Sequence, residues 1–261
     1  MKILKKQNQI PNGFLSAAKK RFDGSMQAHG HDFFELEYIV DGHGIYEIDG
    51  IAYSIEKNTL FLMTPANVHA LYDTEIELIN VMFSGEYRGE AFSLLHPHAY
   101  SSCFRLNEKQ AAMISSLLHE LVAVQKTDLH YETLLLQCVL QKLLHVKASR
   151  ERELLPYIQH AILYILENFR TGVTLENIAL HLGLSQAYLS DLFKKEMGMT
   201  FKAYLDDLRF SYVKNLLRST NLSVREIYDA SGFHDYSNFA RRFKIQFGVT
   251  PTEYRRTARE R

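Results

Sequence analysis

The chain has 261 residues, 46% of them hydrophobic, with 30 Lys and Arg set against 30 Asp and Glu. That composition excludes wholesale disorder and a fibrous repeat, and the length exceeds what one compact core usually fills, so more than one domain is expected. Zero net charge hides an asymmetry: residues 1–150 hold 14 basic against 17 acidic side chains, which leaves 16 against 13 in residues 151–261.

The opening stretch MKILKKQNQIPNGF has basic clusters but no continuous apolar run behind them, and no later stretch is long enough to span a bilayer. A cytoplasmic protein with no membrane partner is expected. Cys103 and Cys138 lack the paired spacing of a zinc or redox motif and read as buried thiols.

Residues 27–83 alternate like short strands broken by turns: FFELEYIV, GIYEI, Asp49–Gly50 as a two-residue hairpin turn, IAYSI, TLFLM and ELINVMF. Such spacing predicts a small β-barrel. His29, His31 and Glu35 share one parity along an extended chain and so project to one face, which His69 could reach from another strand. The His-x-His-x-x-x-Glu run ending at Gly42, with the later Pro65-to-His69 segment, resembles a cupin, although Asn67 stands where that pattern carries glycine. Two occupants of the face stay open. A small, sugar-like organic effector would use His29, His31, Glu35, Tyr38 and His69, with Phe34, Tyr38 or Tyr46 stacking if they point inward. A divalent transition metal would use His29, His31, Glu35 and His69, whose imidazoles and carboxylate are proper ligands. The effector is the reading carried forward, and no cofactor is expected.

NEKQAAMISSLLHELVAVQ and LHYETLLLQCVLQKLLHVK follow as amphipathic helices whose leucine density exceeds what a linker needs. They are expected to cover the barrel, and either to offer an apolar stripe to a second copy of the chain or to be buried entirely within the monomer. KASRERE, residues 147–153, reads as a hinge, and LLPYIQHAILYILEN as a leading helix.

Beyond it the chain repeats itself. Ile178 matches Ile227 and Gly183 matches Gly232 at an offset of 49; Leu189 and Phe239, Phe193 and Phe243, Gly198 and Gly248, Thr200 and Thr250, and Tyr204 and Tyr254 match at an offset of 50. Each copy predicts helix, turn, helix. Thr174 and Ser185 are N-cap candidates in the first, Ser223 with Glu226 and Asp235 in the second, and Gly198 and Gly248 the C-terminal stops. With Phe239, Phe243 and Phe247 inward, the last helix must turn Tyr236, Ser237, Asn238, Arg241, Arg242 and Lys244 outward. A helix from Thr200 to Leu217 joins the copies.

The Ile227, Gly232–Phe233, Ser237–Asn238–Phe239, Phe243–Lys244, Phe247–Gly248 and Thr250–Pro251 through Tyr254–Arg255 series resembles the double helix-turn-helix domain of AraC/XylS-family transcription regulators. One departure is Tyr228, where that family usually has a small residue; its ring either loosens the second unit or is accommodated. The resemblance implies two recognition helices in successive major grooves, about one DNA turn or roughly 34 Å apart. By position it assigns base reading to Gln186, Ala187, Ser190 and Asp191 in the first helix and to Tyr236, Ser237, Asn238 and Arg241 in the second. Lys194, Lys195, Arg242 and Lys244 fall to phosphates. Regulators of this type often carry a cupin-like sensing barrel.

The combined expectation is an α+β multidomain protein: a cupin-like barrel at 1–105, a helical linker or dimerisation segment at 106–150, and an all-α double helix-turn-helix domain at 151–261. It would be a non-enzymatic, effector-controlled regulator. Its partners would be an operator duplex, a small-molecule effector and a second copy of itself, with RNA polymerase a further candidate. A metal-dependent cupin enzyme and a ligand-independent dimeric regulator are the alternatives.

Overall fold

The computed structural model describes residues 2–10, 14–84, 102–146 and 156–259. The hinge expected at 147–153 lies outside them. In chain order the elements are β1 (Lys2–Leu4), α1 (Lys6–Gln9), β2 (Leu15–His31), β3 (Phe34–Ile48), β4 (Ile51–Ile55), β5 (Thr59–Met63), β6 (His69–Phe83) and β7 (Cys103–Arg105). Helices follow: α2 (Glu108–Ala123), α3 (Leu129–Val146), α4 (Pro156–Asn168), α5 (Leu175–Leu182), α6 (Gln186–Met197), α7 (Phe201–Ser219), α8 (Val224–Ala230), α9 (Tyr236–Phe247) and α10 (Pro251–Arg259). Among the described residues no helix is long and apolar enough to cross a membrane.

The strands form one seven-stranded sheet in the order β1-β2-β6-β3-β5-β7, with β4 paired to β3 off that path. The long β3 holds β5 along its first half and β4 along its second, with β6 on its other side throughout. Between those halves Gly42 and Gly44 take left-handed φ values of 118° and 137°, and a Cβ on Gly42 would stand 2.1 Å from the Glu75 carbonyl oxygen. Only glycine lets β6 approach there. Asp49 and Gly50, at φ 54° and 75°, make the two-residue hairpin turn that their chemistry predicts. The order of sheet domain and helical domain is the one expected; among the described residues the pairing path runs from β1 to β7 without a pairing between those two strands. One correction concerns β2, which starts at Leu15 and not near residue 27. Its first 13 of 17 residues, LSAAKKRFDGSMQ, bury only Leu15 and Ala17 and are otherwise half-buried or exposed, so they carry no sustained apolar alternation to read.

Alternation sorts the sheet into two faces. Phe61 and Met63 of β5 join Ile39, Tyr46, Leu71 and Leu78 in one core, while Leu60 and Leu62 join Leu36, Tyr38 and Val81 in the other. Helix α2 closes the second, burying Ala111, Ile114, Leu118 and Leu121 behind a capping box of Asn107 and Gln110. Helix α3 adds Leu136, Val139, Leu140 and Leu143. Cys138 lies exposed on its outer side with Tyr131 and Leu134, which corrects the expectation of a buried thiol there. Cys103 is only half-buried.

In the helical part, Thr174, Ser185, Thr200, Ser223 and Asp235 each cap a helix through the side chain, and Gly183, Gly198 and Gly248 end theirs in the left-handed region. Helix α7 buries Tyr204, Leu208, Tyr212 and Leu216 on a surface shared by both helix-turn-helix units. Phe210 carries the second unit's aromatic core, its ring 4.7 Å from Phe233, 6.2 Å from Phe239 and 6.0 Å from both Phe243 and Phe247. Tyr228 is accommodated: it is buried, with its ring 5.2 Å from Tyr236 and 5.6 Å from Phe239.

Candidate functional site

The α6 and α9 helices present matched outer faces. Burial of Leu189, Leu192 and Phe193 leaves Gln186, Ala187, Ser190, Asp191, Lys194 and Lys195 exposed on α6. On α9, burial of Phe239 and Phe243 leaves Tyr236, Ser237, Arg241 and Lys244 exposed, with Asn238 half-buried. Arg241 donates from Nη2 to Asn238 Oδ1 at 3.0 Å, a bond within the exposed face that holds the guanidinium near the helix N-terminus. Arg242 differs from its neighbours. Its Nη2 donates to Asp206 Oδ2 of α7 at 2.6 Å and its guanidinium lies over the Phe210 ring, so it anchors α9 to α7 and has a carboxylate partner already. Two side chains on this surface escaped sequence reasoning. Tyr188 is 53% exposed on α6, legible as the helix's one aromatic off the core positions. Arg225 of α8 lies over the Tyr228 and Tyr236 rings at 5.1 and 5.4 Å, a placement only the fold reveals.

On the inner face of the sheet, His31, Glu35 and His69 bring one ligand atom each to within 4.8 Å of one another, all buried. His31 Nε2 is 3.4 Å and His69 Nε2 3.7 Å from the same Glu35 Oε2. His31 Nδ1 lies 2.6 Å from the Phe33 carbonyl oxygen; a carbonyl only accepts, so Nδ1 carries hydrogen and Nε2 is turned to Glu35. His69 Nδ1 contacts the Tyr46 hydroxyl at 2.7 Å. Neither Nε2 has a hydrogen-bond partner. His29 stands beside this trio: its ring centroid is 4.2 Å from that of His69, and its Nδ1 faces the Gln27 carbonyl.

Charge is distributed unevenly over the cluster. Burial alone would raise the Glu35 pKa, but the adjacent His31 imidazole, the charge of His69 and the Asn80 amide together hold it well below the usual carboxylate range. Glu37, two residues on, is pushed up to about 7 by burial and by the charge of Glu35. Burial, and then His29, depress His69 well below an ordinary imidazole. Asn80 Nδ2 donates to Glu35 at 2.7 Å and to Glu37 at 3.1 Å, while its Oδ1 accepts from Lys20 Nζ at 2.9 Å.

Two expected contacts belong elsewhere. Tyr38 sits at the opposite parity to Glu35 and Glu37, packs in the core under α2 and donates to Asn58 Oδ1 at 2.8 Å, so it does not face this cluster. Phe34 likewise stacks on Phe83 in that core. Tyr46 does point inward. Asn67 explains its own departure from glycine: Oδ1 accepts from the Thr64 amide at 2.7 Å and Nδ2 donates to Asp49 at 2.6 Å, tying the turn before His69 to the hairpin turn. A separate cavity of about 890 Å³ opens where the N-terminal segment meets α4 and α5, lined among others by Asp32, Tyr157, Tyr164 and His181.

Residues 19–144 match an AraC-like ligand binding domain, and residues 178–257 match a helix-turn-helix domain. The chain is similar to the HTH-type transcriptional activator RhaS of Escherichia fergusonii, at 26% identity over 245 residues covering 89% of this chain and 88% of that protein. The uncharacterized HTH-type transcriptional regulator YfiF of Bacillus subtilis is 27% identical over 257 residues, covering 87% and 78%. Among solved structures, the C-terminal domain of AraT, a response regulator from Geobacillus stearothermophilus, is 37% identical over 42% of this chain and 88% of that one, with a TM-score of 0.39.

Proposed function

Because the chain belongs to the AraC-type transcription regulators, joining an AraC-like ligand-binding domain to a helix-turn-helix DNA-binding domain, we propose that α6 and α9 read successive major grooves under the control of a small molecule bound at the inner face of the sheet. The relatives are named as regulators, and the enzyme alternative is set aside with them. The observation that carries the reading is the pair of exposed polar helix faces braced by one shared helix, α7.

Arg241 is the strongest base reader of the set, since its planar fork matches guanine O6 and N7. Gln186, Ala187, Ser190 and Asp191, with Tyr188, form the weaker reader on α6. Lys194, Lys195 and Lys244 contact phosphates; Arg242, already paired with Asp206, is the least suited to that role. A duplex selected by the protein from a random pool provides the test. Arg241→Ala should weaken its binding roughly 5- to 150-fold, the equivalent of about 1–3 kcal/mol, and relax one base position. Unchanged affinity and selectivity would remove the role.

The effector is a compact, polyhydroxylated molecule that hydrogen-bonds the buried His31, Glu35 and His69 groups beside Tyr46. A second copy of the chain docks through the exposed Tyr131, Leu134 and Cys138 side of α3. One observation favours a second occupant of the inner site. Two buried imidazole nitrogens without hydrogen-bond partners face one carboxylate oxygen at 3.4 and 3.7 Å, and donors that share a tetrahedral ion at about 2.0–2.2 Å each lie roughly 3.4 Å from one another. His31, Glu35 and His69 would then hold a divalent transition metal, His29 standing aside. Metal analysis of the purified protein distinguishes the two: stoichiometric metal selects the ion, and its absence, with a melting temperature unmoved by zinc, selects the organic effector.

A further inference from the structure

We propose that Arg170 is the positioning residue through which the state of the His31–Glu35–His69 cluster reaches both helix-turn-helix units. The inference rests on reading that cluster as the sensing site. Arg170 stands two residues beyond the end of α4 and its guanidinium reaches across to the sheet: Nη2 donates to the His31 carbonyl oxygen at 3.0 Å, and Nη1 reaches the Pro65 carbonyl at 3.5 Å. His31 supplies an imidazole to the cluster, and Pro65 heads the turn that delivers His69. The guanidinium carbon is held beside the Phe169–Tyr212 ring pair, 5.2 and 5.5 Å from their centroids, and Nη1 also lies 3.4 Å from the Tyr212 hydroxyl.

The backbone from which that side chain springs is a junction of the whole DNA-binding part. The Phe169 carbonyl accepts a 2.7 Å hydrogen bond from Nε of the buried Arg209 of α7. Gly232, the turn of the second unit, sits directly on it: a Cβ there would stand 2.5 Å from the Phe169 oxygen and 2.8 Å from the Arg170 Cα. A few residues on, Thr174 caps α5 of the first unit. An occupant that draws the His31 and Glu35 side chains together moves the strand segment bearing the His31 carbonyl. The rigid, charged fork bonded to that oxygen either follows or loses its partner. Either way the displacement arrives at a point touching α5, α7 and the α8–α9 turn, so the relative placement of α6 and α9 shifts. Coupling of this kind works by preference between two arrangements, and both sites bias it reciprocally.

The test is a double-mutant cycle on the full chain. Glu35→Gln alters the charge of the cluster without changing its shape, and Arg170→Met removes the fork while keeping an unbranched apolar stem. Affinity for a duplex selected by the wild-type protein is measured for the wild type, both single variants and the double. Amide hydrogen exchange over α5 to α9 is followed in parallel. Glu35→Gln should change DNA affinity about fivefold or more in the wild-type background, shift exchange around Phe169 and Gly232, and do neither once Arg170 is Met. Arg170→Lys, able to make one of the two bonds, should restore part of the coupling, and it takes the place of Arg170→Met if that variant fails to fold. Equal effects of Glu35→Gln with and without Arg170, or none in the wild type, would overturn the proposal. Failure to select any duplex would count instead against the DNA-reading role, and the exchange measurement, which needs no DNA, would still decide the coupling.

Discussion

Glu35 and Glu37 project from the same face of β3, share one Asn80 amide, and are nevertheless driven in opposite directions. Glu35 has two imidazoles beside it. Glu37 has burial and the Glu35 charge, and the more distant Lys20 does not compensate. Its carboxyl is raised from an ordinary 4.5 to about 7, so the folded protein binds that proton more tightly than the unfolded chain. The resulting stabilisation is complete below pH 4.5 and is lost as pH rises through about 7, an effect on the order of 3 kcal/mol. In EDTA, urea denaturation should show the wild type weakening between pH 5 and pH 8 and Glu37→Gln largely freed of that trend; parallel pH profiles would sink the assignment. Parity along the chain made His31, Glu35 and, by the same rule, Glu37 legible. The same parity sends Tyr38, one residue out of step, into the core under α2. Asn80 was not legible, because only the pairing of Glu37 with Asn80 across β3 and β6 brings it into the cluster.

The internal repeat equates Gly183 with Gly232, but the elements demand different things of them. Both take left-handed φ, 68° and 78°. A Cβ on Gly183 meets nothing within 4 Å, whereas on Gly232 it would overlap the backbone of Phe169 and Arg170. Gly183→Ala should therefore cost about 1–2 kcal/mol from backbone strain alone. Gly232→Ala adds a clash that no side-chain rotation relieves and should cost about 3–5 kcal/mol. Thermal unfolding of the two variants checks the order, and equal losses would mean that the turn does not sit on the Phe169–Arg170 backbone. Helix starts and stops were readable because caps are local: a side chain accepts from a backbone amide three residues on, as Asp235 does from Asn238. What the turn packs against was not, since Phe169 and Gly232 are distant in sequence. The same limit hid the first half of β2, whose pairing with β6 depends on register and not on its own polar residues.

At the scale of the molecule, the acidic excess of residues 1–150 and the basic excess of residues 151–261 belong to halves that are joined by more than a chain connection. Arg170 bonds the sheet beside the sensing cluster, and Arg218 at the end of α7 donates to the Gly50 carbonyl of the hairpin turn at 3.3 Å. Beneath these contacts runs one apolar core. It passes from Leu36 and Val81 of the sheet through Leu118 of α2 and Leu140 of α3 to Ile165 of α4 and Phe169 just beyond it, and on to Phe239 of α9. Elements that share a core lose it together, so the sheet and the helix-turn-helix units should unfold in one transition. Leu140 is fully buried where the sheet-covering helices meet that core, and Leu140→Ala should cost about 2–5 kcal/mol. The diagnostic is where the loss is felt. Far-UV circular dichroism follows mainly the helices, and amide exchange in β3 and β6 follows the sheet; both should shift to lower denaturant by the same amount. A helical transition left in place while the sheet opens early would show two independent folding units, and the sensing cluster would then need a route to DNA other than a continuous packed interior.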